Sequence, residues 1–131
     1  MCGAIKYEIT APPRDVLHCH CVDCRRSTGN FSASTGCATK DLVVSGEENL
    51  RWFERGYARY GFCVECGSSL FWVAEDRPEC TSIKIGTLDD ATGLPLVGIW
   101  FAAEAQPHIT FDPNVARFEA NDDDGPARGG P

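Results

Sequence analysis

Six of the eight cysteines in this chain fall into two patterns that suit a soft metal ion. The first is compact: Cys19, Cys21 and Cys24, with His20 between the first two. The second is split: Cys63-Val64-Glu65-Cys66-Gly67 lies well downstream, and Cys2-Gly3 stands near the start. A thiolate binds zinc at about 2.3 Å, and zinc normally takes four ligands in a tetrahedron. Each pattern supplies three. A metal held by three protein ligands keeps one coordination position open, and an open position is what separates a catalytic zinc from a structural one. We therefore expect two zinc ions, one on each set.

The residues around these cysteines carry weaker signals. Cys63-x-x-Cys66-Gly67 resembles a zinc knuckle: a tight turn aims two sulfurs at one point, and the glycine lets backbone N–H groups approach them. The same spacing occurs in redox pairs, but those sit in a thioredoxin-like βαβ pattern that is not evident here. Three thiolates on zinc carry a net charge of about minus one. Arg25 and Arg26 follow at once and are candidates to offset that charge or to bind an anionic substrate; the competing reading is two solvated surface cations. His18 and His20 alternate with the ligands, so in an extended segment they point away and pack or support rather than coordinate. Cys37 and Cys80 lie in strand-like contexts and read as small buried hydrophobes, unless the fold brings one of them to a metal.

The elements that must position these residues are short and separated by breakers. Ala4 to Thr10 alternates, with Ile5, Tyr7 and Ile9 on one face. Val16 to His20 leads into the compact cluster, and Asp23 to Thr28 suits one helical turn ending at Gly29. Phe31 to Thr39 reads as a strand with a bulge at Gly36, and Leu42 to Ser45 as another stopped by Gly46. Arg51 to Glu54 and Ala58 to Phe62 flank Gly56 as a hairpin. Leu70 to Ala74, Ser82 to Ile85 and Gly98 to Ala102 are further apolar runs. No 3.6-residue period is sustained, so the fold class is mainly β with at most short helices.

At 131 residues the chain is one domain with one core. We expect it to occupy residues 1–120, with an acidic, Gly- and Pro-rich tail, 121–131, too poor in large apolar residues to order itself. The net charge of −7 disfavours a phosphate backbone as partner, so no nucleic acid is expected. No apolar run approaches the roughly 20 residues of a membrane span. No secretion signal opens the sequence, and clustered cysteines in a reducing compartment more often bind metal than pair as disulfides. The expectation is a soluble cytoplasmic protein.

Together these residues resemble a known family. Cys2-Gly3-Ala4-Ile5-Lys6-Tyr7 is similar to its opening Cys-x-Cys-Gly-x-x-x-Tyr. Cys19-His20-Cys21-x-x-Cys24-Arg25-Arg26 is similar to its central signature, and Gly61-Phe62-Cys63-x-x-Cys66-Gly67-Ser68 and Gly86-Thr87-Leu88-Asp89-Asp90 to its later blocks. The chain resembles, over residues 2–111, the glutathione-dependent formaldehyde-activating enzyme and centromere protein V family. The resemblance implies a zinc-bound β-tent fold, a structural zinc on Cys2, Cys63 and Cys66, and a catalytic-type zinc on Cys19, Cys21 and Cys24. It implies a small thiol such as glutathione as substrate, added to formaldehyde as S-hydroxymethylglutathione, hence a carbon–sulfur lyase. Two positions depart from the pattern. The first opening cysteine would fall before Met1, so the natural start is expected upstream, and Gly98-Ile99-Trp100-Phe101 lacks a histidine common near the family's C-terminus. The competing expectation is a non-catalytic, zinc-stabilised binding or scaffold module. The fourth position at the Cys19 cluster discriminates: facing a cleft it favours chemistry, closed by a side chain it is structural.

Overall fold

The computed structural model describes residues 1–90 and 93–120. The expected acidic tail lies outside them. The protein is mainly β, with one short helix, in a single domain. Ten strands run in chain order: β1 Lys6–Ile9, β2 Val16–Cys19, β3 Ser32–Ala38, β4 Leu42–Ser45, β5 Leu50–Glu54, β6 Ala58–Cys63, β7 Ser69–Ala74, β8 Cys80–Lys84, β9 Leu96–Trp100 and β10 Ala116–Arg117. The helix α1, Val22–Thr28, follows β2 directly.

Eight strands form one sheet in the order β10-β9-β2-β3-β8-β7-β6-β5, and β1 pairs with β4 in a separate two-stranded sheet. β5 to β8 follow one another through short connections and pair antiparallel, and β3 pairs antiparallel with both β2 and β8. β9 returns by a long connection and lies parallel to β2, with β10 parallel beside it. The hairpin expected around Gly56 is present as β5–β6, in register from Leu50 opposite Cys63 to Glu54 opposite Arg59.

Alternation assigns the two faces of the large sheet. Phe71 on β7 lies opposite Ile83 on β8, and Ile83 opposite Thr35 on β3; all three are buried. This row, with Cys37, Cys63 and Leu70, forms the core, and the small sheet covers it with Tyr7, Ile9, Leu42 and Val44. Tyr7 meets the Phe71 ring edge-on at 5.2 Å and shares a hydrogen bond of 2.6 Å with the Thr87 hydroxyl. Burying side chains of this size contributes about 1.5–3 kcal/mol each. The next positions along the same strands point the other way. Gly36, Ser82, Trp72 and Tyr60 are successive cross-strand partners and form a row on the opposite face.

The expected bulge at Gly36 is absent. The β3–β8 ladder runs without a register shift from Ser34 opposite Lys84 to Ala38 opposite Cys80. The glycine answers a steric demand instead: a Cβ at Gly36 would stand 2.9 Å from Nε of Arg14, whose side chain lies across this position.

The short helix is held by its ends, because none of its residues is buried. The Cys21 sulfur accepts from the Cys24 N–H at 3.4 Å, and Gly29 in the left-handed region returns its N–H to Arg25 O. Glu104 accepts from the Val22 N–H at 2.9 Å, pairing a donor that the first turn of a helix leaves free.

Gly46 controls how the small sheet closes. Its φ is +77°, and a Cβ there would stand 2.0 Å from the Ala4 carbonyl oxygen. Gly46→Ala should therefore cost about 2 kcal/mol or more, from the left-handed backbone and the clash together. Urea unfolding of the two proteins measures this. A difference under about 0.5 kcal/mol would mean that the β1–β4 end is not tightly specified.

Candidate metal centres and the adjoining cleft

The fold brings together both cysteine sets. The sulfurs of Cys2, Cys63 and Cys66 lie within 4.8 Å of one another, and so do those of Cys19, Cys21 and Cys24. All eight cysteines are free thiols. No fourth Cys, His, Asp or Glu among the described residues joins either group. With metal–sulfur bonds of about 2.3 Å, a tetrahedral site has sulfur–sulfur edges of about 3.8 Å. Cys2 and Cys63 stand at 3.7 Å. Either set could hold a metal ion, and three thiols suit zinc.

The split set is assembled at a corner. Cys63 ends β6, the turn to β7 carries Cys66, and Cys2 arrives just ahead of β1. The Gly67 N–H donates to Cys63 O at 2.8 Å, and the Cys63 N–H donates to Ser68 O at 3.0 Å, which fixes the turn. The Ser68 hydroxyl lies 3.2 Å from the Cys66 sulfur. That contact, with backbone N–H groups, pushes the Cys66 thiol down to about 6 and favours the thiolate a metal needs. Cys63 is buried, and Cys2 is exposed.

The compact set is built by the end of β2 and the first turn of α1. The closeness of the Cys19 and Cys21 sulfurs is the main cause that pushes the Cys19 thiol up and pulls the Cys21 thiol down. Negative charge therefore gathers first on Cys21, which also accepts the Cys24 N–H. The compensating cation comes from an unexpected strand. Lys84 on β8 is largely desolvated, which lowers its pKa, while the nearby Cys24, Cys19 and Cys21 sulfurs act to raise it. Its Nζ donates to the Ser32 hydroxyl, and Ser32 pairs with Cys19 across β2 and β3.

Arg25 and Arg26 do not take that place. Arg26 is exposed, Arg25 Nε is buried without a partner, and neither lines the cleft described next. His18 and His20 pack as their alternation suggested. Both lie against Phe31, at 4.4 and 5.0 Å, and His20 meets Phe111 edge-on at 5.3 Å. Cys37 is a core residue, and burial pushes its thiol up to about 11.

A cleft of about 940 Å³ opens against the large sheet, and Cys19, Cys21 and Cys24 line it. Cys2, Cys63 and Cys66 do not. Tyr60 and Trp72 contribute aromatic walls, and Arg14, Gly36 and Ser82 lie on its lining beyond them. The β5–β6 turn is tied over one side. Arg55 forms a salt bridge of 3.0 Å with Asp23, the Tyr57 hydroxyl donates to the same carboxylate, and Tyr57 and Tyr60 share a hydrogen bond of 3.0 Å. Trp100 and Phe101 close the other side. Phe101 holds a φ of +54°, a strained conformation for a bulky residue, beside the Glu104 turn that caps α1.

The family model described as glutathione-dependent formaldehyde-activating enzyme matches residues 1–103. The chain belongs to this family. The crystal structure of a Rhodobacter sphaeroides protein is similar to it, with 28% identity and a TM-score of 0.56, covering 70% of this chain and 86% of that one. No curated protein matches the chain. Lys84, Glu104 and the Tyr57–Asp23–Arg55 cluster had no sequence signal of their own, because strand pairing and the return of β9 bring them beside the compact set or the cleft from distant segments.

Two outcomes follow from this geometry. Elemental analysis should find two metal ions per chain, falling to one in Cys24→Ser; an unchanged count would remove the compact set as a metal site. Lys84→Met should weaken metal retention at that set about tenfold, or ~1.4 kcal/mol, by removing the nearby cation. Competition with a chelator reads this, and the loss should be confined to one of the two ions.

Proposed function

We propose that this protein joins a small thiol, of which glutathione is the type, to formaldehyde, and so acts as a zinc-dependent carbon–sulfur lyase. Family membership and one observation carry the reading: of two chemically similar cysteine sets, the one on Cys19, Cys21 and Cys24 lines the cleft. A zinc ion on that set would hold an incoming thiol near its thiolate form at neutral pH, and the thiolate is the nucleophile. In the overall reaction the sulfur forms a bond to the formaldehyde carbon, the carbonyl π bond breaks, and the thiol proton ends on the new hydroxyl. Nothing is oxidised or reduced.

The chain's own residues perform recognisable parts of this task. Cys19, Cys21 and Cys24 present three sulfurs from one rigid β-strand–helix junction. Lys84 offsets their negative charge without occupying the cleft wall. Tyr60 and Trp72 exclude water on one side of the reacting sulfur, and the Arg55–Asp23 tie keeps the β5–β6 turn over the site. The set on Cys2, Cys63 and Cys66 serves as a structural zinc that fastens the small sheet to the large one. Two zinc ions and clustered free thiols suit a reducing cytoplasm.

Cobalt in place of zinc makes thiol binding visible as a change in its absorption spectrum, and NMR exchange between formaldehyde and its thiol adduct measures turnover. The expected result is both signals with glutathione. Protein shown to hold cobalt on the Cys19 set but unresponsive to millimolar thiol would leave a binding or scaffold role instead. The two sets should also differ in what they support. Cys66→Ser should lower unfolding stability by about 3 kcal/mol or more, because a structural metal contributes folding energy directly. Cys21→Ser should cost less stability and abolish the spectral response. Equal melting losses in the two variants would assign both ions structural roles.

A further inference from the structure

Arg14 is a cation in the cleft wall whose hydrogen bonds, among the described residues, all go to neutral groups. Its guanidinium donates from Nη1 to the Asp15 carbonyl at 3.1 Å and to the Ser34 carbonyl at 3.5 Å, and from Nη2 to the Ser82 hydroxyl at 3.3 Å. All three acceptors are neutral. Among the described residues the salt bridge present is Arg55–Asp23, not one to Arg14. Partial burial lowers its pKa to about 10. A guanidinium withdrawn from water is ordinarily matched by a carboxylate or phosphate.

The backbone is arranged to hold this side chain in place. The Arg14 N–H donates to the Gly36 carbonyl at 2.9 Å, the buried Thr35 hydroxyl donates to the Arg14 carbonyl, and Gly36 leaves the space over which the side chain crosses β3. The same wall carries Glu75, Asp76 and Glu79, with Arg77 among them, on the turn from β7 to β8. Those carboxylates repel an anion, so recognition of one in this cleft depends on a specific, fixed cation.

We infer that Arg14 binds a carboxylate of the thiol substrate, in the cleft that Cys19, Cys21 and Cys24 also line. The inference rests on the thiol reading above. Arg14 discriminates a thiol that carries a free carboxylate from a neutral or esterified one.

Calorimetric titration of the zinc-loaded protein tests this with four probes: glutathione, S-methylglutathione, glutathione diethyl ester and 2-mercaptoethanol. Arg14→Gln should weaken glutathione and S-methylglutathione about 10- to 100-fold, the range for a charge-assisted hydrogen bond. It should leave the diester and 2-mercaptoethanol within about twofold of wild type. Gly36→Ala keeps the cation but pushes it aside, and should weaken the same two ligands if Arg14→Gln fails to fold. Equal binding of glutathione by wild type and by both variants would overturn the inference while leaving the thiol reading intact. S-methylglutathione bound through Arg14, with no cobalt response to any thiol, would uphold Arg14 and overturn the thiol reading. Failure of both glutathione forms to bind wild type would overturn both.

Discussion

The two sheets of the structure meet at one corner, where three cysteine sulfurs converge. A two-stranded sheet is marginal by itself, and β1–β4 has no hydrogen-bonded partner in the larger sheet. Its apolar face covers Phe71 and Ile83, but strands of four residues bury little. Cys2 sits just ahead of β1, while Cys63 and Cys66 bracket the β6–β7 turn of the large sheet. Bringing their sulfurs within 4.8 Å joins the two sheets at that corner. A metal held there would add folding energy to a small core.

With one face of the large sheet covered in this way, the other is free to become a site. Period-two alternation sends Phe71, Ile83, Thr35 and Cys37 into the core and Trp72, Ser82, Gly36 and Tyr60 to the cleft. The same short strands thus serve stability and function, and Cys37 takes part in both, packed in the core and on the cleft lining. The helix is subordinate to this plan. It buries nothing, yet its first turn presents Cys21 and Cys24, and its caps come from Cys21 itself, Glu104 and Gly29.

Charge in the cleft is divided in the same manner. Lys84 stands near the sulfurs, Arg14 lies over Gly36, and the chain around them is acidic. Both cations are partly desolvated, and both are held by neutral groups, the hydroxyl of Ser32 for one and carbonyls and the Ser82 hydroxyl for the other. Lys84 thereby keeps its charge for the sulfurs beside it, and Arg14, on the cleft lining, for what enters the cleft.

The local features were legible in the sequence because they depend on neighbours. Three cysteines at spacings of two and three converge on one point whatever surrounds them. The Cys63-x-x-Cys66-Gly67 turn does likewise, and short alternating runs broken by glycine read directly as strands. Gly36 marks the limit. A glycine within a strand suggested a bulge, but its cause is a side chain from another segment, which no local pattern reports. Arg25 and Arg26 were natural candidates beside the cysteines, yet neither lines the cleft. Lys84 stands near the sulfurs and Arg14 lines the cleft because β8 and β2 lie on either side of β3, and strand order is a property of the whole chain. The sequence alone determined which atoms could bind a metal. Only the tertiary structure decided which set meets the cleft and which cations face it, because those depend on contacts between residues far apart in the chain.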